Sequence, residues 1–167
     1  MFVKTIATAM MALFALSAAA WAQSPTRIEQ FDAWGAYSYD SAGGKVCYVL
    51  SVPISSAPTN VDHGDIFFLI SQRPGQNVSY EPNAMMGYPL KESSKITVNV
   101  DGREFILFSR GNSGWVENAA QEPQLVAAMK AGSSMTVKAV SRRGTNTSYS
   151  YSLRGVTAAL NKIATCR

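Results

Sequence analysis

His63 is the only histidine in the chain, and its surroundings most suggest chemistry. It lies between Asp62 and Asp65 on a segment that also contains Gly64, so an imidazole has a carboxylate on each side. A tight metal site needs three or four ligands, and one imidazole with two carboxylates is a thin set. A serine nucleophile would need a positioned base, which only His63 could supply. We therefore expect a loop without catalytic duty, and keep a hydrolase with a site around His63 as an alternative.

The other reactive groups are not arranged for catalysis. No serine lies in a G-x-S-x-G elbow, and no glycine-rich phosphate loop follows an apolar run. Five carboxylates could supply an acid–base pair, as in any chain of this length: Asp62, Asp65, Glu81, Asp101 and Glu104. We therefore predict a protein that is not an enzyme, with no catalytic residue, no cofactor and no metal.

A binding surface is the more promising use of the unusual side chains. Met86 and Tyr88 lie in a Met-Met-Gly-Tyr-Pro segment, and adaptable methionines beside aromatic rings can line a binding surface. Trp115 lies in a glycine-rich turn region, and Arg142-Arg143 is the densest basic spot. The alternatives are a loop packed over a sheet and a solvated hairpin tip. The charges are scattered rather than gathered in a stripe, so we expect no nucleic-acid partner.

The two cysteines, Cys47 and Cys166, allow only one intramolecular pairing. In an oxidising compartment a disulfide is the default for such a pair. The closed loop would hold about 120 residues, and chain entropy then stabilises the fold by about 4–5 kcal/mol. A redox-active thiol is the alternative, but there is no C-x-x-C motif.

Residues 1–22 predict export. Lys4 precedes an uncharged, mostly apolar run that ends in Ala20-Trp21-Ala22, which fits the A-x-A cleavage pattern and places cleavage before Gln23. The strongly apolar part, about 15 residues, is shorter than the roughly 20 that a membrane span needs. We expect one domain over 23–167, with no membrane span after cleavage. Its 14 basic and 11 acidic residues leave a net charge of +3.

The rest of the chain has the pattern of an antiparallel β domain, because short apolar runs alternate with turn signals. We predict strands over 31–39, 45–52 and 66–71, the last buried on both faces, with a loop over 55–65 between the second and third. Tyr149, Tyr151 and Leu153 alternate with serines, so a hairpin of 135–140 with 148–153 has one apolar face. Six to eight strands result.

Residues 95–110 form the clearest unit. Asp101-Gly102 suits a type I′ turn, which pairs Val98 with Phe105 and Ile96 with Leu107. Helices are predicted over 123–131 and at the C-terminus, where Val156, Ala159, Leu160 and Ile163 form one face. The predicted architecture is an antiparallel β-sandwich, or a small barrel, with two short helices.

The ordered set of motifs resembles the invasion-associated locus B family, exported proteins of alphaproteobacteria named for an association with host-cell entry. The resemblance spans nearly the whole chain after residue 22. The strand–glycine–helix–cysteine ending is its most specific part. The motifs are Trp34, Val46-Cys47-Tyr48-Val49-Leu50, Gly87-Tyr88-Pro89, Tyr151-Ser152-Leu153-Arg154-Gly155, Ala158-Ala159-Leu160 and Cys166.

Many members of this family carry a cysteine shortly after the first-strand tryptophan, but Gly35-Ala36-Tyr37-Ser38 contains no thiol. Only the Cys47–Cys166 link can therefore be carried over. The resemblance implies a periplasmic or surface-associated protein of a Gram-negative bacterium without an established enzymatic activity. Since the sequence also shows no catalytic constellation, we expect a periplasmic protein that binds an unknown protein or an envelope glycan, or supports the envelope. The alternative is a surface-exposed or secreted virulence factor that contacts a host.

Overall fold

The computed structural model describes residues 24–166. The predicted signal peptide, 1–22, lies outside the described residues. No helix within 24–166 combines the length and the hydropathy that a membrane crossing requires.

Eleven strands and two α-helices make up the described chain, together with two single 3₁₀ turns at Pro74–Gln76 and Ala119–Gln121. The strands are β1 Thr26–Phe31, β2 Trp34–Ser41, β3 Gly44–Ser51, β4 Ser55–Ala57, β5 Phe67–Arg73, β6 Val78–Met85, β7 Lys95–Val100, β8 Arg103–Arg110, β9 Ser113–Val116, β10 Ser134–Val140 and β11 Asn146–Ser152. The helices are α1 Glu122–Ala131 and α2 Val156–Ile163.

All eleven strands belong to one antiparallel sheet, in the order β1-β2-β3-β5-β6-β9-β8-β7-β10-β11-β4. The sheet does not close, because β1 and β4 each have a neighbour on one side only. It turns back on itself, so that Phe68 of β5 meets the rings of both Trp34 and Tyr151 edge-on. The predicted antiparallel β-sandwich with two short helices is confirmed, and its two layers are halves of a single sheet.

The central hairpin has the predicted register. Val98 pairs with Phe105 and Ile96 with Leu107. Asp101 and Gly102 have φ values of 46° and 95°, as a type I′ turn requires. The Asp101 carboxylate also accepts hydrogen bonds from the backbone N–H groups of Ser133 and Ser134, so the turn is fastened to the segment after α1.

The C-terminal helix α2 packs on β2 and β3 through its predicted apolar face. Val156, Ala159, Leu160 and Ile163 are all buried. Just beyond the helix, Cys166 forms the predicted disulfide with Cys47 of β3, and their Cα atoms are 5.9 Å apart. The disulfide joins two residues 119 positions apart in the chain.

Four expectations about the strands are corrected. The predicted first strand over 31–39 is split by a turn at Asp32, whose φ is +48°, so β1 and β2 form a hairpin. The predicted loop over 55–65 begins with the edge strand β4, which pairs with β11. Strand β5 alternates buried and half-buried residues instead of being buried on both faces. The estimate of six to eight strands is too low because β1 is polar and exposed, while β4 and β9 are very short.

Candidate functional site

The segment that carries His63 is placed by the edge strand before it. Ser56 of β4 pairs with Tyr149 of β11, and the chain then runs over the end of β11. The Asp62 carboxylate accepts a hydrogen bond from the N–H of Gly64 at 2.8 Å, which tightens the turn around His63. Gly64 has a φ of +59°, a left-handed conformation that glycine adopts without steric cost. The result is an imidazole that points towards the sheet.

Gly87 lets a second segment approach this turn. A Cβ at Gly87 would lie 2.5 Å from the Asp65 nitrogen and nearer still to the His63 carbonyl oxygen. Backbone atoms this close exclude any larger residue unless the segments separate. The close approach brings Tyr88, the next residue, beside His63, and the Pro89 carbonyl accepts a hydrogen bond from Arg142 N–H. The Gly-Tyr-Pro motif is therefore a packing element between two loops.

A chain of hydrogen bonds runs from His63 into the sheet, and we call its three hydroxyl groups, on Tyr149, Tyr88 and Thr147, the hydroxyl chain. At one end His63 contacts the Pro58 carbonyl oxygen, and at the other Thr147 contacts the Ala139 carbonyl oxygen. The five contacts are His63 Nε2 to Pro58 O at 2.9 Å, His63 Nδ1 to Tyr149 OH at 2.8 Å, Tyr149 OH to Tyr88 OH at 2.9 Å, Tyr88 OH to Thr147 Oγ1 at 2.6 Å and Thr147 Oγ1 to Ala139 O at 3.2 Å.

Burial shapes the chemistry of the two tyrosines of β11. Tyr149 and Tyr151 are both almost completely buried. Burial raises the pKa of the Tyr149 phenol well above its ordinary value, and its hydrogen bond with Tyr88 adds to the increase. Burial likewise raises the pKa of Tyr151. Both phenols are therefore neutral at physiological pH, and neither serves as a base.

Tyr151 differs from Tyr149 in its polar contacts. Its hydroxyl is buried and has no hydrogen-bond partner among residues 24–166. Leaving a buried hydroxyl without a partner costs about 1–3 kcal/mol. The two tyrosines are two residues apart on the same face of β11, so they make a matched pair for experiments.

A pocket of about 520 Å³ opens beside His63. It lies between the 60–63 turn and the 141–147 hairpin, with the half-buried Tyr88 on its wall. Its charged residues are one acid and one base, Asp62 and Arg143. The other polar residues that line it offer amide or hydroxyl groups: Asn60, Ser141, Thr145 and Thr147. The pocket therefore combines apolar surface, to which Val61 contributes, with hydrogen-bonding groups and one charge of each sign.

The five predicted binding residues do not form one surface. Tyr88 and Arg143 meet in the His63 pocket. Arg142 points elsewhere, into a separate pocket of about 360 Å³ beside Pro89 and Lys91. Met86 is only 1% exposed and lies in the core, so its place on a binding surface is corrected. Its backbone is paired with Asn112 in both directions, which holds this residue against the sheet.

Trp115 lies on the outer face of the sheet, away from the pocket. It stacks on Phe108, with ring centroids 5.8 Å apart, and Phe108 is 40% exposed. The two rings belong to one row of cross-strand neighbours across six strands. That row is Leu50, Leu69, Asn83, Trp115, Phe108 and Lys95. The predicted role of Trp115 in binding stays a prediction, on a face separate from Tyr88.

Sequence reasoning missed the partners of His63. The alternation of tyrosine and serine places Tyr149 and Tyr151 on the buried face, and a buried tyrosine hydroxyl usually needs a partner. That requirement is a usable signal, because it directs attention to polar side chains such as His63 and Tyr88. The same alternation, continued two residues back from Tyr149, places Thr147 on the buried face as well, but the predicted strand began at 148.

Both ring nitrogens of His63 are occupied by protein groups, so a role as general base would require one of these contacts to break. Asp65 is exposed, and Asp62 is used in its turn. Within 24–166, no three histidine, cysteine or carboxylate side chains come together as metal ligands could. The arrangement presents hydrogen-bonding groups to the pocket rather than an activated nucleophile.

Comparison with known proteins gives one match. A family model described as "Invasion associated locus B (IalB) protein" matches residues 34–164. No curated protein matches the chain. No solved structure matches it either. The matched residues begin at Trp34 and include both sides of the His63 pocket.

Proposed function

Because the chain belongs to the invasion-associated locus B family, we propose that it is a non-enzymatic, exported binding module of the bacterial envelope that holds a glycan in the His63 pocket. The observation that carries this proposal is the lining of that pocket. Amide and hydroxyl groups surround the ring of Tyr88, and the charges of Asp62 and Arg143 balance. Sugars bind through many hydrogen bonds to uncharged groups, together with contact against an aromatic ring.

The size of the pocket supports a ligand of a few sugar units. Small-molecule sites span about 300–1,000 Å³, and the His63 pocket, at about 520 Å³, falls within this range. A strongly anionic ligand is a poorer fit, since Asp62 would repel it while Arg143 attracts it. An uncharged or zwitterionic saccharide matches both side chains.

The ligand test is an NMR titration of the exported protein with two soluble, uncharged disaccharides, one of N-acetylglucosamine and one of glucose. We expect shift changes confined to residues 60–63, 88 and 141–147. Arg143→Ala should weaken binding by about tenfold or more, because a hydrogen bond to a charged group contributes about 1.5–3 kcal/mol. Arg142→Ala is the matched control and should bind normally, since Arg142 lies in the neighbouring pocket.

Two outcomes would contradict the ligand assignment. Neither disaccharide binds at millimolar concentration, or the shifts appear on the Phe108–Trp115 face instead. The absence of catalysis is tested on the same samples. We expect no new reducing ends after prolonged incubation, because both nitrogens of His63 are engaged within the protein.

The proposed location is the periplasm, which fits the family and the disulfide between Cys47 and Cys166. Protease added to intact cells should leave the protein whole, and the same protease should digest it once the outer membrane is opened. Cleavage in intact cells, or release into the medium, would favour the alternative, a surface-exposed factor that contacts a host.

A further inference from the structure

The hydrogen-bond chain at His63 can be tested by counting hydrogens. Both ends of the chain are backbone carbonyl oxygens, of Pro58 and Ala139, and a carbonyl oxygen only accepts. Five contacts lie between these ends, and each hydrogen bond needs one hydrogen. The hydroxyl chain contributes three, one from each hydroxyl. The ring of His63 must therefore supply two, and only the protonated imidazolium carries two.

The protonated ring also sets a single direction along the chain. Nε2–H donates to the Pro58 carbonyl and Nδ1–H donates to the Tyr149 oxygen. Every hydroxyl then donates away from His63, and the last bond reaches the Ala139 carbonyl. All five contacts are satisfied, with no hydrogen left over.

A neutral ring leaves one of the five contacts without a hydrogen. If the hydrogen is on Nε2, Tyr149 donates to Nδ1, and one of the contacts between Tyr149 and the Ala139 carbonyl is then short of a hydrogen. The Ala139 contact is the longest of the five, at 3.2 Å. If the hydrogen is on Nδ1, no hydrogen lies between Nε2 and the Pro58 oxygen, which are 2.9 Å apart. The hydrogen bond between His63 and Pro58 is then lost.

We infer that His63 is a proton-binding site, and that its proton holds the 58–65 loop to the sheet through the hydroxyl chain. Loss of the proton either leaves the hydroxyl chain one hydrogen short or releases the loop at Pro58. Since His63, Tyr88 and Thr147 all line the pocket, the proton also changes which hydrogen-bonding groups face a ligand. The consequence is a pocket whose hydrogen-bonding groups change when His63 loses its proton.

Other titratable and charged groups surround the ring. Asp62 and Asp65 lie on its own loop, Tyr88 lies on the adjoining 86–89 segment, and Tyr149 comes from β11. Arg143, from the turn between β10 and β11, lines the same pocket. The experiment must distinguish the effect of the hydroxyl chain on the protonation of His63 from the effect of these charges. Variants that remove a hydroxyl without changing the charge make this distinction.

Removal of a hydroxyl changes the count in a defined way. Without the Tyr88 hydroxyl three contacts remain, at Pro58, Tyr149 and Ala139. A neutral ring with the Tyr149 and Thr147 hydroxyls supplies three hydrogens. Tyr88→Phe therefore removes the need for a second ring hydrogen. Thr147→Val has the same effect, because it also leaves three contacts and three hydrogens.

The experiment follows the ring ¹⁵N signals of His63 by NMR as pH is varied. His63 is the only histidine, so the signals need no assignment. At the acidic end we expect imidazolium shifts with both ring N–H hydrogens protected from exchange. The midpoint should move to lower pH in Tyr88→Phe and in Thr147→Val. Tyr151→Phe, which removes a hydroxyl outside the chain, should leave the midpoint unchanged.

Equal midpoints in the wild-type protein and both hydroxyl variants would overturn the inference, as would a ring that carries only one protected hydrogen at the acidic end. Backbone spectra establish whether each variant is folded. If Tyr88→Phe does not fold, the midpoint of Thr147→Val tests the inference. The measurement uses no ligand. Its outcome is therefore independent of whether the pocket binds a glycan.

Discussion

Gly87 and His63 are in backbone contact, and a Cβ on Gly87 would overlap the His63 carbonyl oxygen. This contact seats the turn that carries His63 against the segment that carries Tyr88. It therefore brings two loop residues that line the pocket, His63 and Tyr88, next to each other.

The first prediction concerns this contact. Gly87→Ala should destabilise the protein by about 1–3 kcal/mol, as overpacking does, because the clash is with backbone that cannot rotate away. Urea unfolding measures the change. Gly43→Ala is the matched control, since its Cβ would meet only the flexible end of the Gln76 side chain, 2.6 Å away. Equal stability of the two variants would contradict this prediction, because it would show that the 62–65 turn moves away from the added Cβ at little cost in free energy.

The second prediction uses the two buried tyrosines of β11. Tyr149→Phe should lower the free energy of unfolding by about 1–3 kcal/mol, because it leaves His63 and Tyr88 each short of a partner. Tyr151→Phe removes a hydroxyl without a partner in 24–166 and should be neutral or stabilising. The two substitutions delete the same atom from neighbouring positions on one face. A marked loss of stability in Tyr151→Phe would mean that its hydroxyl has a partner after all.

The third prediction concerns the disulfide. Replacing Cys47 and Cys166 together by serine should lower the free energy of unfolding by about 4–5 kcal/mol, because the unfolded chain regains the freedom of a loop of about 120 residues. Comparison of urea midpoints for the oxidised and the double-variant protein measures this. In the double variant, hydrogen exchange should also accelerate most in α2, relative to the oxidised protein, because the disulfide joins the chain just beyond this helix to β3. Uniform exchange across the fold would indicate that α2 is held by packing alone.

The fourth prediction is a pH dependence at Asp101. The hydrogen bond from Ser133 N–H, with further bonds from Ser134, holds the pKa of this carboxyl below its ordinary value of 3.8. A lowered folded-state pKa adds stability that is present above the ordinary value and is lost as pH falls through the folded-state value. Asp101→Asn should therefore be less stable than the wild type at neutral pH.

The difference between Asp101→Asn and the wild type should shrink as pH falls below 3.8, and urea midpoints at both ends measure it. Asparagine tolerates the positive φ of the turn, so the variant tests the charge and not the backbone. A difference that stays constant with pH would assign the effect to the hydrogen bonds of the side chain rather than to its ionisation.

Much of the local structure could be predicted from the sequence. The Asp101-Gly102 turn determines the register of β7 and β8, because a two-residue loop leaves one pairing that puts apolar residues opposite each other. The apolar face of α2 follows from the spacing of Val156, Ala159, Leu160 and Ile163. The disulfide followed from having two cysteines and a predicted export signal. The turn and the helix face depend on residues that are close in sequence, and the disulfide depends on there being only one possible pairing of two cysteines.

Local patterns did not predict the weakest strands. β1 has no apolar face, and β4 has three residues, so neither has a periodicity to detect. Both form because a neighbouring strand offers free backbone N–H and C=O groups. Met86 was misplaced for a related reason: it lies just beyond the end of β6, where no alternation indicates its side, and only its burial in the folded protein shows that it faces inwards.

The candidate site was decided by tertiary structure. The sequence by itself determined that His63 lies on a turn and that Tyr149 lies on a buried face. Only the strand order, with β4 beside β11, brought these residues within 2.8 Å across 86 positions of chain. Side-chain periodicity is a property of a few consecutive residues, whereas a hydrogen-bond partner is chosen by whichever distant strand packs alongside. For this reason the residue types of the site were visible in the sequence, but their connection was not.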